Sequence, residues 1–296
     1  MSTPHGLRST LSLRTLALAV ASMLAFAANS VLCRLALHDH AIDPFSFGMI
    51  RLASGAVTLF LIQKLRDGPA LPLRSDWPAA LALFAYVAFF SFAYLVLSTG
   101  TGALILFGAV QLTMLGAGLR NGERPGRLAI AGMLLAIAGL VYLLSPGITA
   151  PPLLPAACMA AAGIAWGIYS LRGQKIANPL AATARNFALA APLSVVAVLL
   201  TASQAHASTK GVALALTSGM LTSGIGYVIW YAALPGLSAM RAATMQLSVP
   251  LIAALGGLLL IEEAITLRLA IAAISILGGI ALVLARPPAK SQQGLR

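Results

Sequence analysis

Between Arg241 and Glu262 the chain runs for 20 residues, Ala242–Ile261, without a charged side chain. At about 1.5 Å of rise per residue, a helix of that length spans the roughly 30 Å hydrocarbon core of a bilayer. The run is not uniform lipid filler. Thr244, Gln246 and Ser248 are polar, and Pro250 lacks an N–H and crowds the carbonyl four residues back, that of Gln246. Polar groups left unsatisfied in hydrocarbon are costly, so these must face protein or a wet cavity. The segment is expected to be a cavity wall.

The pattern occurs twice. Gly102–Glu123 is apolar, carries Gln111 and Thr113 midway and ends on an acid, as the Ser238–Glu263 stretch does. Each copy is followed by an apolar run with a glycine, Gly139 or Gly279, 16 residues after Glu123 or Glu263. Each is preceded by Tyr-x-x-Leu, at Tyr94–Leu97 and Tyr231–Leu234. Internal symmetry of this kind marks transporters built from structural repeats. The copies differ where Val110 stands against Pro250, so the first lacks the kink.

Composition agrees. Of 296 residues, 59% are hydrophobic and 9% charged, against about 25% charged in soluble domains. Mean hydropathy is +0.93, which makes the chain a polytopic membrane protein in contact with a lipid bilayer. The +12 charge is no nucleic-acid footprint, because the basic residues sit between apolar spans rather than on one face. Cys33 and Cys158 lie in separate spans and suggest neither a disulfide framework nor a metal site. Serines and threonines have no acid or histidine within a span to activate them, so enzymatic chemistry is not expected, nor a cofactor.

The first span covers residues 14–37; Ala25–Ala27 resembles a signal-peptidase site, yet apolarity continues to Leu37, which favours an uncleaved helix. Further spans are read at 44–63, 77–98, from the Thr99–Gly102 turn to Leu119, 128–144, 153–171, 181–201, 211–233, the opening stretch, and 267–285. The proline-rich Ser145–Pro155 divides two units, 1–147 and 148–296. With the N-terminus in the cytoplasm, 15 of the 19 Lys and Arg fall inside; Arg34, Arg51, Lys210 and Arg268 fall outside. Both termini are therefore expected in the cytoplasm. Five spans per unit force opposite orientations. The expected fold is all-α, ten transmembrane helices as two inverted five-helix repeats.

Ala28-Asn29 and Trp166-Gly167 also align between the repeats, each followed by a basic residue, Arg34 or Arg172. With Gly122–Pro125, the Pro250 and Glu263 spacing and the ten-span layout, the chain resembles the EamA-type branch of the drug/metabolite transporter superfamily over nearly its whole length. The resemblance implies a bacterial inner-membrane exporter of amino acids and other metabolites, its central cavity lined by spans 1, 3, 4, 6, 8 and 9.

Amides deep in a span need partners, which makes Asn29, Gln111 and Gln246 candidate substrate contacts. Tyr86 lies too deep for an interfacial belt, and Tyr169 shares a helix face with Trp166. Tyr86, Tyr94, Trp166, Tyr169 and Tyr227 join the candidates. Trp77 and Trp230 read as belt residues. Glu123 and Glu263 read as caps of the helices that follow them. Arg51 and Arg185 lie one to two turns inside spans; snorkelling is the default, though Arg51 is placed to hold a carboxylate. The reading is an exporter of small polar or zwitterionic metabolites, amino acids foremost, by alternating access. A small-molecule substrate is the expected partner, and a monomer is compatible with the sequence. A lipid or polyprenyl-carrier flippase, or a non-transporting membrane scaffold, is the alternative. With no acid or histidine inside a span, a proton relay is not expected.

Overall fold

Charge-free runs in hydrocarbon must satisfy their backbone internally, and helices do so within one segment. The structure, a computed structural model, describes residues 12–67, 76–120, 122, 125–173, 176–237 and 239–284, so Glu123 lies outside the described residues. Its α-helices are α1 (Leu13–His38), α2 (Pro44–Asp67), α3 (Trp77–Ala93), α4 (Thr99–Arg120), α5 (Arg127–Leu144), α6 (Leu153–Gly173), α7 (Pro179–Leu200), α8 (Thr209–Thr217), α9 (Gly226–Ala233), α10 (Ala239–Gln246), α11 (Ser248–Ile261) and α12 (Leu267–Leu284). A π-helical segment, Ser218–Ile225, joins α8 to α9 end to end. Among the described residues nine helical stretches are long and apolar enough to cross a membrane, and α3 is a shorter apolar helix of 17 residues.

Side chains set the helix starts. Ser12, Asp76, Asn178 and Ser208 accept the N–H three residues on, and Pro78 and Pro179 occupy the first turns that follow. Two expected boundaries are corrected. Thr99–Gly102 is the first turn of α4, and the chain reverses over Tyr94–Ser98 instead. The Thr99 N–H is capped by the Glu263 carboxylate at 2.7 Å, which lets the helix begin early. The eighth span is not one α-helix but α8, the π segment and α9. Where Pro250 was expected to disturb the backbone, the helix breaks at Leu247, whose N–H turns to Thr244 O at 3.1 Å. Its counterpart α4, with Val110 at that place, runs unbroken.

Packing obeys a rule of exchange. α5 lies along α12, α2 along α7 and α4 along α11. α3 packs on α6 as α9 and the π segment pack on α1, and α4 packs on α6 as α11 packs on α1. The glycines spaced from the glutamates show why. A Cβ at Gly139 would strike Ser275 and Ile276 of α12, and one at Gly279 would strike Gly132 and Ala136 of α5. Repeat-equivalent glycines thus seat each helix on the other, the small-residue contact expected between membrane helices. Gly116 and Gly278, by contrast, meet nothing within 4 Å.

Large apolar side chains turned outward, among them Val57, Leu134, Val141, Leu199, Leu259 and Ile274, leave a surface that water would not tolerate and lipid does. Gly279→Val should lower the thermal unfolding midpoint in detergent, by overpacking worth about 1–3 kcal/mol, whereas Gly278→Val should leave it unchanged. Equal effects would show that the α5–α12 seam is not glycine-dependent.

Candidate functional site

A cavity of about 600 Å³ lies where the two sets of helices meet. Its lining draws on α1, α2, α3 and α4 from the first unit and on α6, α7, the π segment, α9 and α10 from the second. Asn29, Tyr86, Gln111, Trp166, Tyr169, Tyr227 and Gln246 all line it. Tyr94 does not. It is fully buried, donates its hydroxyl to Thr99 O at 3.3 Å and packs over Gly102, so it is a structural residue of the α3–α4 turn. Trp230, read as a belt residue, is 8% exposed and lines the cavity, while Trp77 is 50% exposed at the start of α3.

The deep part of the cavity is a polar network built on α1, α2, α3 and the π segment. Arg51 donates from Nε to Ser223 Oγ at 3.0 Å and from Nη2 to the Tyr86 hydroxyl at 3.1 Å. Its Cζ sits 5.2 Å from the Tyr86 ring centroid and 5.3 Å from that of Phe90. Asn29 Oδ1 accepts from Ser218 Oγ at 2.7 Å and from Thr222 Oγ1 at 3.3 Å, while its Nδ2 reaches the Tyr86 hydroxyl at 3.5 Å. The widened π turn brings Ser218, Thr222 and Ser223 to one place, a local form frequent at functional sites. Gly219 has no room for a Cβ against Arg51 and Ser54, so the π segment lies directly on α2. Snorkelling is thereby corrected for Arg51, which is 1% exposed and turned inward. Arg185 is half-buried and off the lining.

The walls are aromatic. Trp166 stacks on Tyr227 with centroids 5.5 Å apart and planes 16° apart, and on Tyr169 at 5.4 Å and 29°. Tyr86 lies 4.9 Å from Trp166. Beyond them Thr183 Oγ1 and the Tyr231 hydroxyl share a hydrogen bond of 2.8 Å. The lining then reaches the α6–α7 and α9–α10 connections, through Gly173, Ile176, Leu234 and Ala242, which marks this end as the mouth. Arg172 there grips Asp76 Oδ1 at 2.8 Å from Nη2 and 3.2 Å from Nε, tying α6 to α3. Burial pushes the Asp76 carboxyl up, but Arg172 and the Ala79 N–H outweigh it and hold it below its ordinary value. The clasp is therefore present at neutral pH and lost only as pH falls through that lowered value.

The opposite end is shut by two polar clusters. In one, Arg34 Nε pairs with Glu263 Oε1 at 2.8 Å, and Arg34 Nη1 donates to Tyr94 O and Leu95 O at 3.0 Å each. Glu262, in left-handed backbone at φ 58°, ends α11 and turns Glu263 back toward α4. Glu263 was read as capping the helix after it; it caps α4, from the other half of the chain. In the other cluster, Asp43 caps α2 through Ser46 N at 2.9 Å and takes His206 N at 3.1 Å, while Lys210 meets Asp39 at 2.6 Å. Sequence reasoning placed Arg34 on the outer side near the end of the first span and gave Asp43 no partner. The available signal was the cost of placing either charge beside an apolar span without a partner.

Removing one partner of an enclosed ion pair strands the other. Arg34→Met is predicted to cost about 3–5 kcal/mol and to lower the unfolding midpoint, and the double variant Arg34→Met/Glu263→Met should recover most of the loss. Additive losses in the double variant would show that the two side chains act independently.

The cavity, the paired packing and the two halves accord with what the chain is similar to. A relative from Pseudomonas aeruginosa, described as an uncharacterized protein, is 53% identical over 272 residues, covering 92% of this chain and 95% of its own. A solved crystal structure shares the fold, with a TM-score of 0.64 at 22% identity over 89% of this chain and 95% of that one. The EamA-like transporter family matches twice, over residues 13–145 and 153–285, each match taking in one set of helices. The chain belongs to the EamA-like transporter family, a membrane transporter and not an enzyme.

Proposed function

We propose that this transporter spans the bacterial inner membrane ten times, as two inverted units of residues 1–147 and 148–296, and exports small polar or zwitterionic metabolites, amino acids foremost. The observation that carries the reading is a cavity open at one end and shut at the other, with both halves of the chain in its walls. The cluster that shuts it through Arg34, Glu263 and Thr99 is built across those halves. Rocking one unit against the other breaks those polar contacts and closes the mouth, which is alternating access around a fixed site.

Basic residues support the sidedness. Arg120, Arg172 and Arg241 belong to the mouth end, whereas Lys210 and Arg268 belong to the shut end. The bias of Lys and Arg toward the cytoplasm puts the mouth inside, so the conformation is inward-facing with both termini in the cytoplasm. α3 counts as the tenth span. Its 17 residues and the turn that follows reach from the mouth to the shut end. Among the described residues no carboxylate lines the cavity, which favours facilitated diffusion down the substrate's own gradient over a proton relay.

The test is exchange of a radiolabelled amino-acid panel across proteoliposomes. Wild type is expected to exchange at least one member without an imposed pH gradient. Gln246→Leu, which takes a lining amide from α10, should lower that flux about tenfold while the protein stays monodisperse. Normal flux in the variant would remove α10 from the site, and accumulation abolished by a protonophore would replace diffusion with proton coupling.

A further inference from the structure

Arg51 holds a charge that the protein leaves unanswered. It lies seven residues past Pro44, about 10 Å along α2 from its start, beneath the cluster that shuts the cavity. Nε and Nη2 are engaged by Ser223 and Tyr86, but Nη1 is buried and has no hydrogen-bond partner. The described carboxylates with ion-pair partners are committed elsewhere: Asp39 to Lys210, Asp76 to Arg172, Glu263 to Arg34. Asp43 spends both oxygens on backbone N–H groups. A guanidinium drawn out of water without an opposite charge is strongly disfavoured, and the Tyr86 and Phe90 ring faces offset that only in part.

Among the described residues two ionised side chains line the cavity, Arg51 and Arg172, and Asp76 neutralises the second. One positive charge is thus left over on a lining side chain, with a buried N–H pair that has no partner. We propose that Arg51 is the counter-charge for a carboxylate on the transported molecule, an inference that rests on the transporter reading above. One guanidinium balances one monoanionic group. A phosphate dianion would bring surplus negative charge into a largely aromatic chamber. A cation without a carboxylate would meet Arg51 as a like charge. The carboxylate oxygens accept from Nη1, and the remainder of the substrate lies against Trp166 and Tyr227. Arrival of the anion neutralises the deepest point of the cavity, and its departure restores the buried charge, so the loaded and empty states differ electrostatically where the helices of both units touch.

The test measures thermal unfolding midpoints of the purified full-length chain in detergent. The probes are the common L-amino acids and simple hydroxy and keto acids, each against its primary amide and against phosphate, at constant ionic strength. At least one acid should raise the midpoint while its amide does not. Arg51→Met should abolish that rise. Arg51→Lys, which keeps the charge and secures the experiment if Arg51→Met fails to fold, should bind the acid about 10- to 100-fold more weakly for want of the planar fork. Amides matching acids, phosphate outperforming them, no acid raising the midpoint, or wild-type affinity in Arg51→Lys would each overturn the proposal. The two readings separate in proteoliposomes. An acid that binds through Arg51 but is not exchanged would reject transport and leave the Arg51 assignment standing. Exchange of amides or amines with no exchange of acids would reject the assignment and leave transport standing.

Discussion

Hydrocarbon offers no hydrogen bonds, and that withdrawal of water governs where every polar atom of this chain is placed. The outward faces of the helices are apolar, and the side chains that break the pattern are gathered where the two sets of helices meet. Asn29, Ser218 and Thr222 satisfy one another at the base of the cavity, and Ser223 holds Arg51 there by its Nε. Arg34 and Glu263 do the same at the shut end. Neither group would be stable on a helix facing lipid. The cost of burying them in one half alone is what binds the halves together, and under the alternating access proposed above each polar group would exchange a protein partner for water when the cavity opens on its side.

The exchange rule in the packing pairs like helices across the halves, but the halves are not copies. Pro250 breaks the ninth span at Leu247, while Val110 leaves α4 whole. The π segment has no counterpart in α3, which is a plain α-helix. Both departures fall in the second unit and both touch the cavity. The wall formed by the π segment, α9 and α10 therefore has the softer backbone, and α3 and α4 make the firmer wall opposite.

Much of this was legible in the chain. Long charge-free runs mark helices, the glutamate-to-glycine spacing marks the repeat, and amides at Asn29, Gln111 and Gln246 mark the cavity, since each signal follows from the cost of polar groups in lipid. What was hidden depended on contacts between residues far apart in sequence. Glu263 is 164 residues from the Thr99 N–H that it caps, so local grammar assigned it to the next helix. Tyr94 left the lining and Trp230 joined it because depth within a span does not say which face a ring occupies. Arg51 read as a snorkelling residue because its position near a helix end is the usual place for one. Only the π segment lying against α2 shows it turned inward. The π segment itself carries no pattern beyond two glycines, Gly219 and Gly224, which close-packed membrane helices commonly carry.

The central claim is that one end opens as the other shuts. It is tested most directly by electron-electron distance measurement between paired spin labels on the full-length chain in lipid nanodiscs. One pair, at His40 and Ser203, reports on the shut end; the other, at Arg120 and Pro235, reports on the mouth. Adding a substrate identified by exchange should lengthen distances in the first pair and shorten them in the second, within the same population of molecules. Distances that stay fixed in both pairs, or that lengthen together, would contradict alternating access in this protein.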